Sequence, residues 1–130
     1  MERRRLRRLC LALPEAHEVE AWGEPTFRVR NKMFAMYAAP NNHHGAGRPA
    51  VWCKAAPGNQ SLMVRAAPDR FFVPPYVGTA GWLGIRLDSG LPWPVIAGLL
   101  RQAYESARAG SRAAGSAATP RARRSPAPRR

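Results

Sequence analysis

Apolar residues recur with helical spacing near the start of the chain. One stripe, at positions i, i+3, i+4 and i+7, is formed by Leu6, Leu9, Cys10 and Leu13. Arginines occupy the other faces, which is typical of an amphipathic helix. Pro14 disfavours helical geometry at the residue before it. We therefore predict a helix from about Glu2 to Leu13.

Two further helices are predicted from the same kind of pattern. Asn59 to Ala67 forms a short helical stretch, and its apolar side consists of Leu62, Met63 and Ala66. The last helix begins at Pro92 or Pro94, because proline suits the first helical position, and it ends at Gly110. Its apolar stripe consists of Val95, Ile96, Leu99, Leu100, Ala103 and Tyr104.

Alternation of apolar and polar residues predicts strands in the middle of the chain. Two segments show it, Thr26 to Arg30 and Trp82 to Asp88, and the apolar segments Met33 to Ala39 and Ala50 to Lys54 are predicted as two further strands. Asn31-Lys32 can form the tight turn between the first two, without the glycine that such turns prefer. The other segments are an acidic connector (residues 15–25), a loop (residues 40–49) and an extended, proline-rich segment on the core (residues 71–81).

The element order is therefore α-β-β-β-α-β-α, which predicts an α+β domain with a mostly antiparallel sheet and helices on one face. The 130 residues allow one domain, assigned to residues 1–109, and 45% apolar residues suffice for a packed core. Residues 110–130 contain only alanine, glycine, serine, threonine, proline and arginine. That composition predicts a disordered tail.

The net charge of +13 is informative through its distribution. Residues 1–9, Arg108 and residues 110–130 together carry +11, whereas residues 10–105 carry +2. A basic excess is typical of a nucleic-acid partner. Because arginines outnumber lysines 19 to 2, codon bias of a GC-rich genome explains the excess equally well. Both explanations stay open at this point.

Membrane, metal and catalytic functions receive no support from the sequence. The longest apolar run near the N-terminus, Leu9 to Leu13, is too short for a membrane span or a secretion signal. Cys10 and Cys53 lie among apolar neighbours, so we expect buried free thiols in a cytoplasmic protein. His43-His44 has no further ligand nearby, and no catalytic motif appears. We expect no metal, no cofactor and no enzymatic activity.

Two linked stretches carry a set of motifs that is more specific than any short pattern. The first combines residues 9–14, 22–29 (Trp-Gly-Glu-Pro-Thr-Phe-Arg-Val) and 32–35; the second combines residues 69–78 (Asp-Arg-Phe-Phe-Val-Pro-Pro-Tyr-Val-Gly), 81–82, 86–88, 93 and 103–104. In order and spacing they resemble the MmcQ/YjbR family over most of residues 6–108. The resemblance implies a CyaY-like α+β fold and a role in DNA binding through a pair of β wings. Pro94 and the arginine-rich tail depart from the family pattern and inherit no function.

A DNA-binding wing needs cations on the exposed side and at the tip of a narrow hairpin. In the predicted hairpin, Arg28 and Arg30 share a strand face and Lys32 lies at the turn. Lys54 and Arg86 alternate with apolar residues on other strands and extend the same surface. These five residues are the candidate DNA-binding set, of low sequence specificity. The alternative is that an exposed sheet face simply needs polar residues.

Aromatic residues support a second hypothesis, a non-enzymatic module that binds a small molecule or a protein around Tyr76. The candidate pocket residues are Trp22, Phe72, Tyr76 and Trp82. The alternative is that these side chains seal a small core. An open aromatic cleft in the structure would favour the second hypothesis, and a contiguous basic sheet face would favour DNA.

Overall fold

The structure, a computed structural model, describes residues 2–40 and 47–116, with side chains described as far as residue 110. Over these residues the chain forms three α-helices: α1 (Glu2–Leu11), α2 (Asn59–Ala66) and α3 (Trp93–Ser116). It also forms six strands: β1 (His17–Ala21), β2 (Glu24–Val29), β3 (Lys32–Ala38), β4 (Ala50–Cys53), β5 (Phe71–Phe72) and β6 (Leu83–Arg86).

The strands form one sheet in the order β1-β2-β3-β4-β6-β5, and every neighbouring pair is antiparallel. The predicted α+β class with an antiparallel sheet is therefore confirmed. Its two edges, β1 and β5, were not predicted as strands. β1 is a glutamate-rich edge strand of low β propensity, and β5 has only two residues before Pro74 ends the pairing.

Helix α3 continues past the end predicted at Gly110 and reaches Ser116. A glycine stops a helix when it adopts a left-handed backbone conformation, and Gly110 is not among the glycines with positive φ. It is therefore accommodated within the helix. Residues 117–130 of the predicted tail and the His43-His44 pair lie outside the described residues.

One face of the sheet packs against the helices and forms the main core. The buried helical residues there are Leu6, Cys10, Ile96, Leu100, Ala103, Tyr104 and Ala107. The Tyr104 ring meets Phe34 edge to face, and its hydroxyl donates a hydrogen bond to the Pro14 carbonyl oxygen at 2.7 Å. Helix α2 contributes Met63 and Val64, whereas Leu62, predicted to face inward, is 61% exposed.

A second apolar cluster lies on the opposite face of the sheet. Its buried members are Met36, Ala38, Ala50, Trp52 and Trp82, and Met33, Phe72 and Val77 pack against them. The Phe72 ring occupies the space that a Cβ atom at Gly84 would need. The sheet therefore has an apolar centre on both faces, but only one face is covered by α1 and α3.

Candidate nucleic-acid interface

The β2–β3 hairpin determines where the predicted wing cations lie. Val29 pairs with Lys32, so the turn consists of Arg30 and Asn31, with φ angles of 53° and 65°. Two consecutive positive φ angles are typical of a type I′ hairpin turn. The turn predicted at Asn31-Lys32 is thus one residue too late, because Val29 must reach the core face. Arg30 occupies the hairpin tip.

Arg30 adopts a backbone conformation that costs a non-glycine residue about 1 kcal/mol. We expect Arg30→Gly to increase the free energy of unfolding by about this amount, since glycine adopts positive φ without strain. Urea unfolding of both chains measures the difference. Lys32→Gly is the matched control, because Lys32 lies in a strand, and it should destabilise the protein. A loss of stability in Arg30→Gly would contradict the assigned turn.

Lys32 lies on the helix-covered face of the sheet. It pairs with Val29, which belongs to the main core, and its Nζ atom is 4.0 Å from the position that a Cβ on Gly110 would take. Arg28 lies on the other face, where its Nε donates to the Thr26 hydroxyl at 3.3 Å. The hairpin cations therefore do not share one surface, in contrast to the sequence-based prediction.

Arg28 and Arg86 lie on the sheet face opposite α1 and α3, and alternation beyond the end of β4 assigns Lys54 to the same face. Arg28 pairs with Met33, which packs against the second cluster. Lys54 follows the core residue Cys53, so by alternation it points to the same side, and its amide donates to the Phe34 carbonyl oxygen at 3.3 Å. Arg28 and Lys54 thus lie on either side of β3, about 10 Å apart in backbone position.

Arg86 occupies the far end of this face. It pairs with Ala50, and its guanidinium stacks on the Phe72 ring at 4.6 Å from the centroid. Four residues of β4 and one strand spacing separate it from Lys54, roughly 14 Å in all. We call Arg28, Lys54 and Arg86 the sheet-face cations. They surround an apolar centre that contains Trp52.

The absence of an ion pair with a described carboxylate separates these three cations from four of the described arginines, although not from all of them. Four arginines are neutralised by carboxylates: Arg7 by Glu18 (2.7 Å), Arg48 by Asp88 (2.9 Å), Arg30 by Glu15 (3.5 Å) and Arg108 by Glu105 (3.8 Å). The hydrogen bond from Arg48 holds the pKa of Asp88 below its ordinary value, and the charge of Arg86 adds to this. Among the described residues, no carboxylate forms an ion pair with a sheet-face cation. The three residues are half-buried, and without an ion pair the exposed part of each can meet an anionic ligand.

The four candidate pocket residues are not gathered into one cleft. Trp22 is 67% exposed in the β1–β2 turn, whereas Phe72 lies in β5 at the opposite edge of the sheet. Trp82 is buried in the second apolar cluster, so its side chain stabilises the fold and does not line an open pocket. Tyr76 is 76% exposed in the loop between β5 and β6. Among these four side chains, Tyr76 and Trp22 are the ones that present aromatic surface.

The cysteines are buried and free, as predicted. Burial raises the pKa of the Cys53 thiol to about 12, and burial likewise raises the pKa of Cys10 above its ordinary value. A protonated, inaccessible thiol is a poor nucleophile.

Within residues 2–40 and 47–116, no three histidine, cysteine, aspartate or glutamate side chains are grouped to hold a metal ion. In the same part of the chain, no helix has the length and apolar character needed to cross a membrane.

Comparisons with known proteins address the fold and the family. The family model described as YjbR matches residues 11–106. The crystal structure of Deinococcus radiodurans protein DR2400, with domain DUF419, superposes with a TM-score of 0.64 at 18% sequence identity, covering 82% of this chain and 84% of that one. At this identity the likeness establishes the fold alone. No curated protein matches the chain significantly.

Proposed function

This chain belongs to the YjbR family, and on that premise we propose that it is a non-enzymatic cytoplasmic protein that binds duplex DNA through its sheet-face cations. The observation that carries the proposal is the placement of Arg28, Lys54 and Arg86 on one face without carboxylate partners. The β2–β3 hairpin acts as the wing, with Arg30 at its tip. The exposed Arg30–Glu15 pair is weak enough to exchange for a phosphate.

The spacing of the sheet-face cations suits the phosphate backbone rather than a single small anion. Backbone positions about 10 and 14 Å apart allow each cation to meet a different phosphate. Phosphate contacts fix position and carry no direct sequence information. The apolar centre between the cations is buried and presents no row of hydrogen-bond donors and acceptors for reading base edges. The proposal therefore predicts low sequence specificity.

Counterion release determines the expected affinity for DNA and its dependence on salt concentration. Each phosphate neutralised contributes about −0.9 to the slope of log affinity against log salt, so three contacts give about −2.7. At 0.1 M salt each contact contributes about eightfold to the affinity. Binding by three contacts is weak and strongly salt-dependent. Any contact made by the arginine-rich C-terminal residues makes the slope steeper.

A salt-dependent titration tests the proposal. The full chain is added to a fluorescent duplex between about 50 and 200 mM salt, and anisotropy gives the affinity. A second duplex of scrambled sequence controls for specificity. We expect equal affinities for both duplexes and a slope of about −2.7 or steeper. Absence of binding at the lowest salt concentration would overturn the proposal.

The exposure of Tyr76 favours a second candidate function, capture of a protein or small molecule by the loop between β5 and β6. Val73 and Tyr76 of this loop are 54% and 76% exposed. Affinity capture by the full chain and by Tyr76→Ala, at equal melting temperature, tests this candidate. A partner retained by the first and lost by the second would support it. Equal capture profiles would exclude it.

A further inference from the structure

A second basic surface lies on helix α1. Arg4 and Arg8 are exposed and lie on the side of the helix opposite the buried Leu6 and Cys10. Arg5 is exposed beside them, and its guanidinium lies 4.8 Å from the centre of the Trp93 ring. We call Arg4, Arg5 and Arg8 the α1 arginines.

The α1 arginines line a groove of about 440 Å³, whose other walls are Glu2, Leu87 and Trp93. Among the described residues, no ion pair neutralises any of the three. Arg4 and Arg8, four residues apart, repel each other along the helix, as do Arg5 and Arg8. Repulsion between these like charges therefore destabilises the helix, and an anion bound in the groove would reduce the repulsion.

The sheet separates this groove from the sheet-face cations. Leu6 and Cys10 attach α1 to the helix-covered face, whereas Arg28, Lys54 and Arg86 lie on the other face. A helix is about 10 Å across, so the outward α1 arginines lie roughly one helix diameter behind the sheet. A straight duplex that rests on the sheet face therefore lies on the other side of the sheet from the α1 arginines.

We propose that the protein bridges two DNA segments, with the sheet-face cations on one duplex and the α1 arginines on the phosphate backbone of a second. This inference rests on the proposed function, because the first segment is held by the sheet face. The α1 groove is the weaker site. Arg5 is engaged by the Trp93 ring, which leaves Arg4 and Arg8 to contact phosphates.

A two-duplex capture experiment tests the bridge. A biotinylated duplex is fixed on beads, and a fluorescent duplex is retained only when the full chain joins the two. We expect Arg4→Gln/Arg8→Gln to reduce retention by at least about tenfold, because two phosphate contacts are lost. Its affinity for a single duplex should change less than about twofold, because the stronger site remains.

Matched controls separate this inference from simple loss of charge. Arg65→Gln/Arg101→Gln removes the same charge from two other exposed arginines and should retain the fluorescent duplex. Unchanged retention in Arg4→Gln/Arg8→Gln would overturn the bridge through α1. It would place the second contact elsewhere, in the C-terminal residues or a second copy of the chain. Equal loss of fluorescent-duplex retention in both double variants would show that net charge causes the loss. That result would also overturn the bridge through α1.

The outcomes also distinguish this inference from the proposed function. If the unaltered chain binds a single duplex but retains no second one, the bridge fails and the DNA-binding proposal stands. If the unaltered chain binds no duplex at all, both fail. Binding of Arg4→Gln/Arg8→Gln and of the unaltered chain to anionic lipid vesicles is compared in parallel. If vesicle binding depends on these arginines and the fluorescent duplex is not retained, the bridge is overturned. The α1 arginines would then bind a membrane surface instead of a second DNA segment.

Discussion

Replacing the sheet-face cations Arg28, Lys54 and Arg86 by glutamine should lower DNA affinity about 500-fold at 0.1 M salt, from about eightfold for each of three phosphate contacts. The comparison is made in the Arg4→Gln/Arg8→Gln chain, so that the α1 arginines do not mask the loss. Fluorescence anisotropy measures both affinities. The magnitude of the salt slope should fall by about 2.7 at the same time.

The control for this experiment is a triple variant of equal charge. Arg65, Arg101 and Arg108 lie on α2 and α3, and replacing them by glutamine removes three charges away from the sheet face. This chain should lose far less affinity than the sheet-face variant. Equal losses in the two triple variants would show that net charge, rather than the sheet face, governs binding.

The second large effect concerns stability at alkaline pH. Both thiols have a raised pKa in the folded protein, that of Cys53 about 12, whereas an unfolded thiol titrates near pH 8.5. Above that pH the unfolded chain loses protons that the folded chain keeps, so the unfolded state gains stability. The free energy of unfolding should therefore fall by about 1.4 kcal/mol per thiol for each pH unit above about pH 9.

Denaturant unfolding of the unaltered chain and of Cys10→Ala/Cys53→Ala, from about pH 8 to about pH 10.5, isolates this contribution. Other groups titrate equally in both chains, so the difference between the two curves reports the thiols. We expect the unaltered chain to lose about 5 kcal/mol more than the variant over this range. Parallel curves would contradict burial of the two thiols in the folded core.

The sequence was sufficient for the elements with strong periodicity. Leu6 and Cys10 of α1, and Ile96 and Leu100 of α3, are buried as their spacing predicts. The sheet edges gave weaker signals. The glutamates of β1 are atypical of a strand, and the half-buried Glu18 is held against α1 by its ion pair with Arg7, which joins residues eleven positions apart. Such a pair is specified by the tertiary structure and has no local signature.

The candidate site was predictable from the sequence only where local alternation determines the side of a residue. Alternation with apolar neighbours correctly places Arg28 and Arg86 away from the main core. Lys32 was misplaced because its side depends on the register of the turn, and a bulge between Phe27 and Arg28 shifts that register. Whether a cation is paired with a carboxylate also depends on contacts between distant parts of the chain, as in the Arg48–Asp88 pair. The overall charge of +13 contains none of this information.

A DNA titration followed by backbone amide NMR tests the central claim, that the sheet face binds DNA. The full chain of 14.3 kDa is small enough for residue-by-residue shifts at low salt. We predict that the largest shifts occur at Arg28, Lys54 and Arg86 and at their neighbours on β2, β4 and β6. Shifts confined to α1 and to residues 117–130, with the sheet unchanged, would contradict the claim.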